Sequence, residues 1–257
     1  MKAEEVSSYI REWLADYLKS TGLSGFVVGI SGGIDSALVS TLCAQTGAKT
    51  ILLTMPIRQT TAEYERAVQH MDELKMRYPN VSSLEINLTE TFETFERAMP
   101  FNLNANHLAM ANSRSRLRMT TLYAVAQVNG CLVVGTGNKV EDFGVGFYTK
   151  YGDGGVDISP IADINKTQVF ELARHSGVIP VILEAKPTDG LFEDGRSDED
   201  QIGATYPELE WAMEFSGDET VLTEREQQVL AIYRRLNRIN QHKMQPIPVC
   251  FIPKMYL

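Results

Sequence analysis

Apolar positions along the chain follow two rhythms. Val6, Ile10, Trp13, Leu14 and Tyr17 recur at three- and four-residue spacing, predicting an amphipathic helix over 3–20. "FVVGI" at 26–30 is instead a short unbroken apolar run rich in valine, the pattern of a strand buried on both faces. The alternation then repeats. A helix is predicted at 35–46, a strand at 50–55 ("TILLTM"), a helix at 61–78, a strand at 83–88 ("SLEINL") and a helix at 89–99. After a loop at 100–106, a long helix over 107–129 stops at Gly130, and "CLVVGTG" at 131–137 supplies a fourth strand. The stretch 138–165 is rich in glycine and aspartate and lacks periodicity. Helices return at 166–176 and 223–242, and the polar residues 185–205 predict a mobile loop.

This β–α alternation predicts an α/β fold, a doubly wound open parallel sheet flanked by helices. Ligands of such sheets bind beyond the carboxyl ends of the strands, where the strand order reverses. The glycine turns at 31–33 and 135–137 fall at two such ends.

The first of these turns carries chemistry. "SGGIDSA", 31–37, lets a strand turn tightly into a helix whose first N–H groups face an incoming anion. Ser31 and Ser36 add hydroxyls. Asp35 repels a phosphate unless a cation lies between them, and Mg²⁺ bridges carboxylates and phosphate oxygens in this way. A bland alternative is a strand–helix turn with an aspartate at its start. The stretch has neither the G-K-[ST] of an ordinary phosphate loop nor the G-x-G-x-x-G of a dinucleotide fold.

Composition narrows the field. The 257 residues are 44% apolar and 22% charged, as in ordinary soluble proteins, and suffice for one large domain. A net charge of -9 argues against a nucleic-acid-binding face. Three scattered cysteines, Cys43, Cys131 and Cys250, predict neither a disulfide framework nor a zinc site, and suit a reducing cytoplasm. The start "MKAEEVSSYI" lacks the apolar segment of a signal peptide. No apolar run approaches the roughly 20 residues that span a bilayer.

Two kinds of match then point to a family. "SGGIDS" resembles the pyrophosphate loop of the ATP pyrophosphatases, which adenylate a carboxylate or carbonyl and let a nucleophile displace AMP. "GTGNKVEDFGVGFYTKYGDGGVDISPIADINKTQVFELAR", 135–174, and "KPTDGLFEDGRSDEDQIGATYPELE", 186–210, closely resemble the NAD synthetase pattern. In collinear order the resemblance covers most of 26–210. The "HK" in the tail "NQHKMQPIPVC" matches the family more weakly.

The resemblance implies an adenine nucleotide α-hydrolase-like fold and a ligase that converts deamido-NAD⁺ to NAD⁺ with ATP, ammonia and Mg²⁺. It implies a cytoplasmic homodimer, and one synthetase domain over 1–257 with no glutaminase domain. Gly29, Ser31, Gly32, Gly33, Asp35 and Ser36 would surround the ATP phosphates, with Arg116, Thr136, Lys166 and Thr188 also touching ATP. Asp35 and Glu141 would bind the metal. Lys150, Asp153, Asp157, His242 and Lys243 would meet the dinucleotide. Asp35, Glu141, Lys166 and Asp153 would carry the catalysis, and Asp153 or Asp157 could hold ammonium.

Two points stay open. Arg114, Arg116 and Arg118 alternate, so they cannot share one helix face, and Arg118 competes with Arg116 for ATP. "DFGVGFY", between Glu141 and Thr149, is one residue longer than the family pattern. Other readings are a GMP synthetase, which would want a further C-terminal domain, a tRNA thiolase, which would want a basic face, and a nucleotide-binding module without catalysis.

Overall fold

The computed structural model describes residues 1–187 and 197–257. Four strands form one parallel sheet: β1 (Gly25–Gly29), β2 (Lys49–Thr54), β3 (Val81–Glu85) and β4 (Cys131–Val134). Their order is β3-β2-β1-β4. The order reverses beside β1, which pairs with β2 on one side and β4 on the other. The predicted crevice therefore opens at the carboxyl ends of β1 and β4.

Both faces of the sheet are covered because alternate strand residues point opposite ways. Phe26, Val28, Leu52, Leu132 and Val134 pack toward α1 (Ala3–Thr21), α2 (Ile34–Gln45), α3 (Thr61–Arg77) and α6 (Lys166–His175). Val27, Ile51, Leu53, Cys131 and Val133 pack toward α4 (Thr89–Ala98) and α5 (His107–Asn129). Each large side chain so buried contributes about 1.5–3 kcal/mol. The double layer matches the expected doubly wound sheet, and the long helix α5 has the predicted bounds, ending on left-handed Gly130.

A third apolar cluster lies outside these layers. It joins α9 (Tyr206–Glu214), α10 (Glu224–Met244) and a π-helical turn at Val140–Val145, through Val140, Val145, Leu209, Val229 and Leu230. The described residues also include the short helices α7 (Pro180–Leu183) and α8 (Asp198–Ile202). No helix of the described residues is long and apolar enough to cross a membrane.

Three expectations are corrected. Strand β3 runs over Val81–Glu85 rather than 83–88, because pairing with Thr50–Thr54 sets its ends. Strand β4 stops at Val134, where only a single bridge to Ile158 continues the ladder. Within the stretch 185–205 expected to be loop, Asp198–Ile202 is helical. Ser197 caps α8 through the Asp200 N–H, and Thr205 caps α9 through the Glu208 N–H. Thr205–Glu208, "TYPE", is a capping box, a start signal legible in the sequence.

Candidate active site

A cavity of about 500 Å³ opens at the switch point, within the range of small-ligand sites. Its floor is the turn after β1. Gly32 takes a left-handed φ of 88°, and a Cβ there would meet the Glu63 carbonyl oxygen at 2.3 Å, so only glycine fits against α3. No side chain caps the N-terminus of α2, whereas Thr60, Ser197, Thr205 and Thr223 cap α3, α8, α9 and α10. The first N–H groups of α2 are therefore left for an anion at the positive end of the helix dipole. Ser31 and Ser36 bond one another, Oγ to Oγ, at 3.1 Å, and Ser36 Oγ donates to the Gly33 carbonyl.

Above this cradle sits a charged cluster. Lys166, at the first position of α6, is 3% exposed and bridges two carboxylates. Its Nζ lies 2.5 Å from Asp35 Oδ2 and 2.9 Å from Glu141 Oε1. Burial works against the ammonium, but the two carboxylates outweigh it and hold its proton above the usual lysine range. Burial raises the Asp35 carboxyl, and the nearby Glu141 charge adds to that. Burial also opposes ionised Glu141, yet Lys166 and the Tyr206 hydroxyl prevail and keep its carboxyl below the ordinary range.

Asn138 locks this pair together. Its Nδ2 donates to Asp35 Oδ1 at 3.0 Å, and its Oδ1 accepts the N–H groups of Val140 and Glu141. One buried amide thus joins the loop after β1 to the π-turn after β4.

The loop sequence "GTGN" places other groups. Thr136 lines the cavity, and a Cβ on Gly137 would meet both Asp142 carboxylate oxygens at 2.2 Å. Asp142 faces the cavity, and burial, then the Glu141 and Asp153 charges, raise its carboxyl well above normal. Asp153 Oδ1 accepts from Ser115 Oγ at 2.6 Å and from the Thr149 N–H at 3.0 Å. Asp153 reaches solvent through the cavity mouth, while the protein crowded around it raises its carboxyl. Lys243 also lines the cavity, donating to the Gly146 and Tyr148 carbonyls, and burial lowers its ammonium.

The sequence-predicted residues do not all meet in the cavity. Gly29, Ser31, Gly33, Asp35 and Ser36 line the cavity together with Thr136, Glu141, Asp153, Lys166 and Lys243. Gly32 turns the loop from behind. Arg116, Lys150 and His242 form a separate chain of contacts: Arg116 Nε donates to the Lys150 carbonyl, and Lys150 Nζ to that of His242. Asp157 spends both oxygens on structure, accepting from Tyr123 Oη and the Val133 N–H. Thr188 lies outside the described residues.

Arg118, rather than Arg116, lines the cavity. Its Nε donates to the Met55 carbonyl, and burial, then Arg114, lower it to about 10. Residues 142–145 of this stretch lie within the π-turn. Sequence reasoning missed Asn138, Asp142 and Tyr206. All three stand within the two matched stretches, and Tyr206 follows a capping threonine.

Comparison with known proteins now bears on this arrangement. The family model described as NAD synthase matches residues 6–247. The chain belongs to the NAD synthase family. It is 38% identical to an NH(3)-dependent NAD(+) synthetase of Alkaliphilus oremlandii, covering 92% of this chain and 94% of that one. Identity to the protein of the same name from Methanococcoides burtonii is 41%, over 80% and 77% of the two chains. A solved structure titled NMN synthetase, from Francisella tularensis, superposes with a TM-score of 0.85 at 30% identity, covering 99% of each chain. The family membership accounts for the adenine nucleotide α-hydrolase-like fold expected from the sequence.

Proposed function

We propose that this chain is an ammonia-using NAD synthetase, converting deamido-NAD⁺ to NAD⁺ with ATP and releasing AMP and pyrophosphate. The observation that carries this is the meeting of an uncapped phosphate cradle with Asp35 and Glu141 around one buried lysine, in a single cavity. The names of the similar proteins support the substrates.

In the first step, a nicotinate carboxylate oxygen attacks the α-phosphorus of ATP. The bond to the bridging oxygen breaks, and pyrophosphate leaves with its electrons. In the second, the ammonia lone pair adds to the activated carbonyl carbon. AMP departs with the acyl–oxygen electron pair, and the nitrogen loses a proton to water. The enzyme forms no covalent bond, so positioning and electrostatics supply the rate. The α2 N–H groups hold the phosphates, and Arg118 and Lys166 offset their charge. Asp153 would hold ammonium and take the proton it sheds to become the attacking ammonia, and Lys243 lines the same cavity.

The carboxylates suit Mg²⁺. Glu141 Oε1 accepts from both Lys166 and Tyr206, and with Asp35 it offers two carboxylates beside the phosphate cradle. No group of three or more His, Cys, Asp or Glu among the described residues could cage a metal, so phosphate oxygens and water would complete the shell. Charge screening of the triphosphate is what a bound Mg²⁺ supplies. The reading includes one synthetase domain, a homodimer and a cytoplasmic setting. Exposed Leu108 and Val128 on α5 suit an interface.

A second reading has one observation in its favour, the close superposition on the NMN synthetase. The same chemistry would then act on nicotinate mononucleotide. Purified protein is supplied with ATP, Mg²⁺ and either acceptor, with ¹⁵N-ammonium or amide-¹⁵N-glutamine. Mass spectrometry should show labelled NAD⁺ from ammonium, with equal AMP. Labelled mononucleotide alone would favour the second reading. No amide from either acceptor, in protein that binds ATP, would overturn both.

A further inference from the structure

Tyr206 has no place in the chemistry above, yet it is built into the charged cluster. It is 3% exposed and stands at the first position of α9, fixed there by the Thr205–Glu208 capping box. Its hydroxyl lies 2.6 Å from Glu141 Oε1 and 3.2 Å from Asp198 Oδ2. A phenol has one proton, so the shorter contact marks the acceptor as Glu141. The ring also meets Lys166, whose Nζ sits 4.9 Å from its centroid.

Glu141 Oε1 is thus held twice, by Lys166 and by Tyr206, and the two holds differ in kind. The lysine sits between Asp35 and Glu141 as a counter-ion. Asp35 and Glu141 would hold a cation arriving with a triphosphate, and Lys166 could then turn its ammonium toward phosphate. The carboxylate of Glu141 would then lose its charged anchor. The tyrosine hydroxyl is uncharged and does not compete with a cation. Its contact can persist through the exchange, keeping the carboxylate in place.

We propose that Tyr206 is a positioning residue that keeps Glu141 oriented for the divalent cation while Lys166 changes partners. The inference rests on the reading of Asp35 and Glu141 as the cation carboxylates. The α9 helix, anchored to α6 by Glu210 accepting the Thr167 N–H and hydroxyl, gives the phenol a rigid base. Partners behind metal ligands commonly change metal affinity about 10- to 100-fold when removed.

The test is Tyr206→Phe, which keeps the ring and its contact with Lys166. Mn²⁺ affinity is read by electron paramagnetic resonance in the presence of α,β-methylene-ATP, so no turnover is needed. The expected result is Mn²⁺ binding weakened about tenfold. The Mg²⁺ concentration for half-maximal turnover should rise in parallel, with the KM for ATP within about twofold and Tm near wild type. In a Glu141→Gln background the same substitution should add nothing. Unchanged Mn²⁺ affinity in folded Tyr206→Phe, or an equal additional loss in the Glu141→Gln background, would overturn the proposal. Tyr206→Met, also lacking the hydroxyl, serves if the Phe variant does not fold. Failure of wild-type protein to make an amide product would count against the proposed function and leave the Mn²⁺ result standing.

Discussion

Lys166 holds together two carboxylates that would otherwise repel each other in a poorly hydrated place. Removing one partner of a buried ion pair costs about 3–5 kcal/mol, because the remaining charge is uncompensated. Lys166→Met should therefore destabilise the ligand-free protein by about that amount at pH 7.5. The sign with pH follows. Without the ammonium, burial and mutual repulsion raise both carboxyls above their unfolded values, so the folded form binds more protons. The deficit should shrink as pH falls from 7.5 toward 5, as urea unfolding of variant and wild type at both values would show. A deficit independent of pH would place the effect in packing alone. Gly137 makes a second test at this scale. A methyl group there meets the Asp142 carboxylate at 2.2 Å, so Gly137→Ala should lower activity and Gly137→Ala/Asp142→Ala should restore part of it. No recovery in the double variant would show that the loop backbone, not the carboxylate, is what needs glycine.

Helix α2 carries the phosphate cradle, and α3 pins it. Ser40 Oγ donates to the Ser36 carbonyl, so the 2.9 Å contact from His70 Nε2 must be donated by the imidazole. His70 Nδ1 is then a buried acceptor without a partner. Burial, with Arg77 nearby, pushes the imidazole down to about 4. The unfolded chain takes up a proton near pH 6.5 and the folded one does not until about pH 4, so acid favours unfolding across that window. The effect should approach roughly 3 kcal/mol at its lower end. His70→Gln should flatten the pH dependence of stability between 6.5 and 4 by that margin, and an unchanged slope would place the acid sensitivity elsewhere.

Elements with strong periodicity or clean stops were legible in the sequence. Helix α5 ends where Gly130 ends it, and β1 is an unbroken apolar run. The polar edge strand β3 was placed two residues late, because Ser82 and Ser83 carry no apolar signal and pairing alone sets its start. Helix α8 hid in the polar stretch 185–205 that reads as loop, and α9 follows it with only a short apolar pattern, although the caps of both are visible in the sequence. The choice between Arg116 and Arg118 could not be made from spacing. Both are on α5, and only the packing of that helix against the sheet decides which side chain meets the cavity.

At the scale of the molecule, strand order does most of the work. Because β4 lies beside β1, stretches a hundred residues apart in sequence meet at one point, and Asn138 bonds Asp35 there. Family-wide motifs made that meeting legible in advance, since the loop and the "GTGNK" stretch both match. What the motifs did not reveal is the third cluster, α9 and α10 against the π-turn, which sets the far wall of the cavity. The proposed homodimer belongs to this scale too. Sedimentation equilibrium should give twice the chain's 28.7 kDa, and Val128→Asp should shift the mass toward one chain if α5 forms the interface.

The central chemical claim is that the nicotinate carboxylate is joined to AMP before nitrogen enters. Deamido-NAD⁺ labelled with ¹⁸O in that carboxylate gives a direct test, with ATP, Mg²⁺ and ammonium. An adenylate intermediate requires one labelled oxygen to leave with AMP, so the released AMP should carry ¹⁸O in proportion to the amide formed. Unlabelled AMP beside newly formed NAD⁺, or ADP and labelled phosphate in its place, would contradict it.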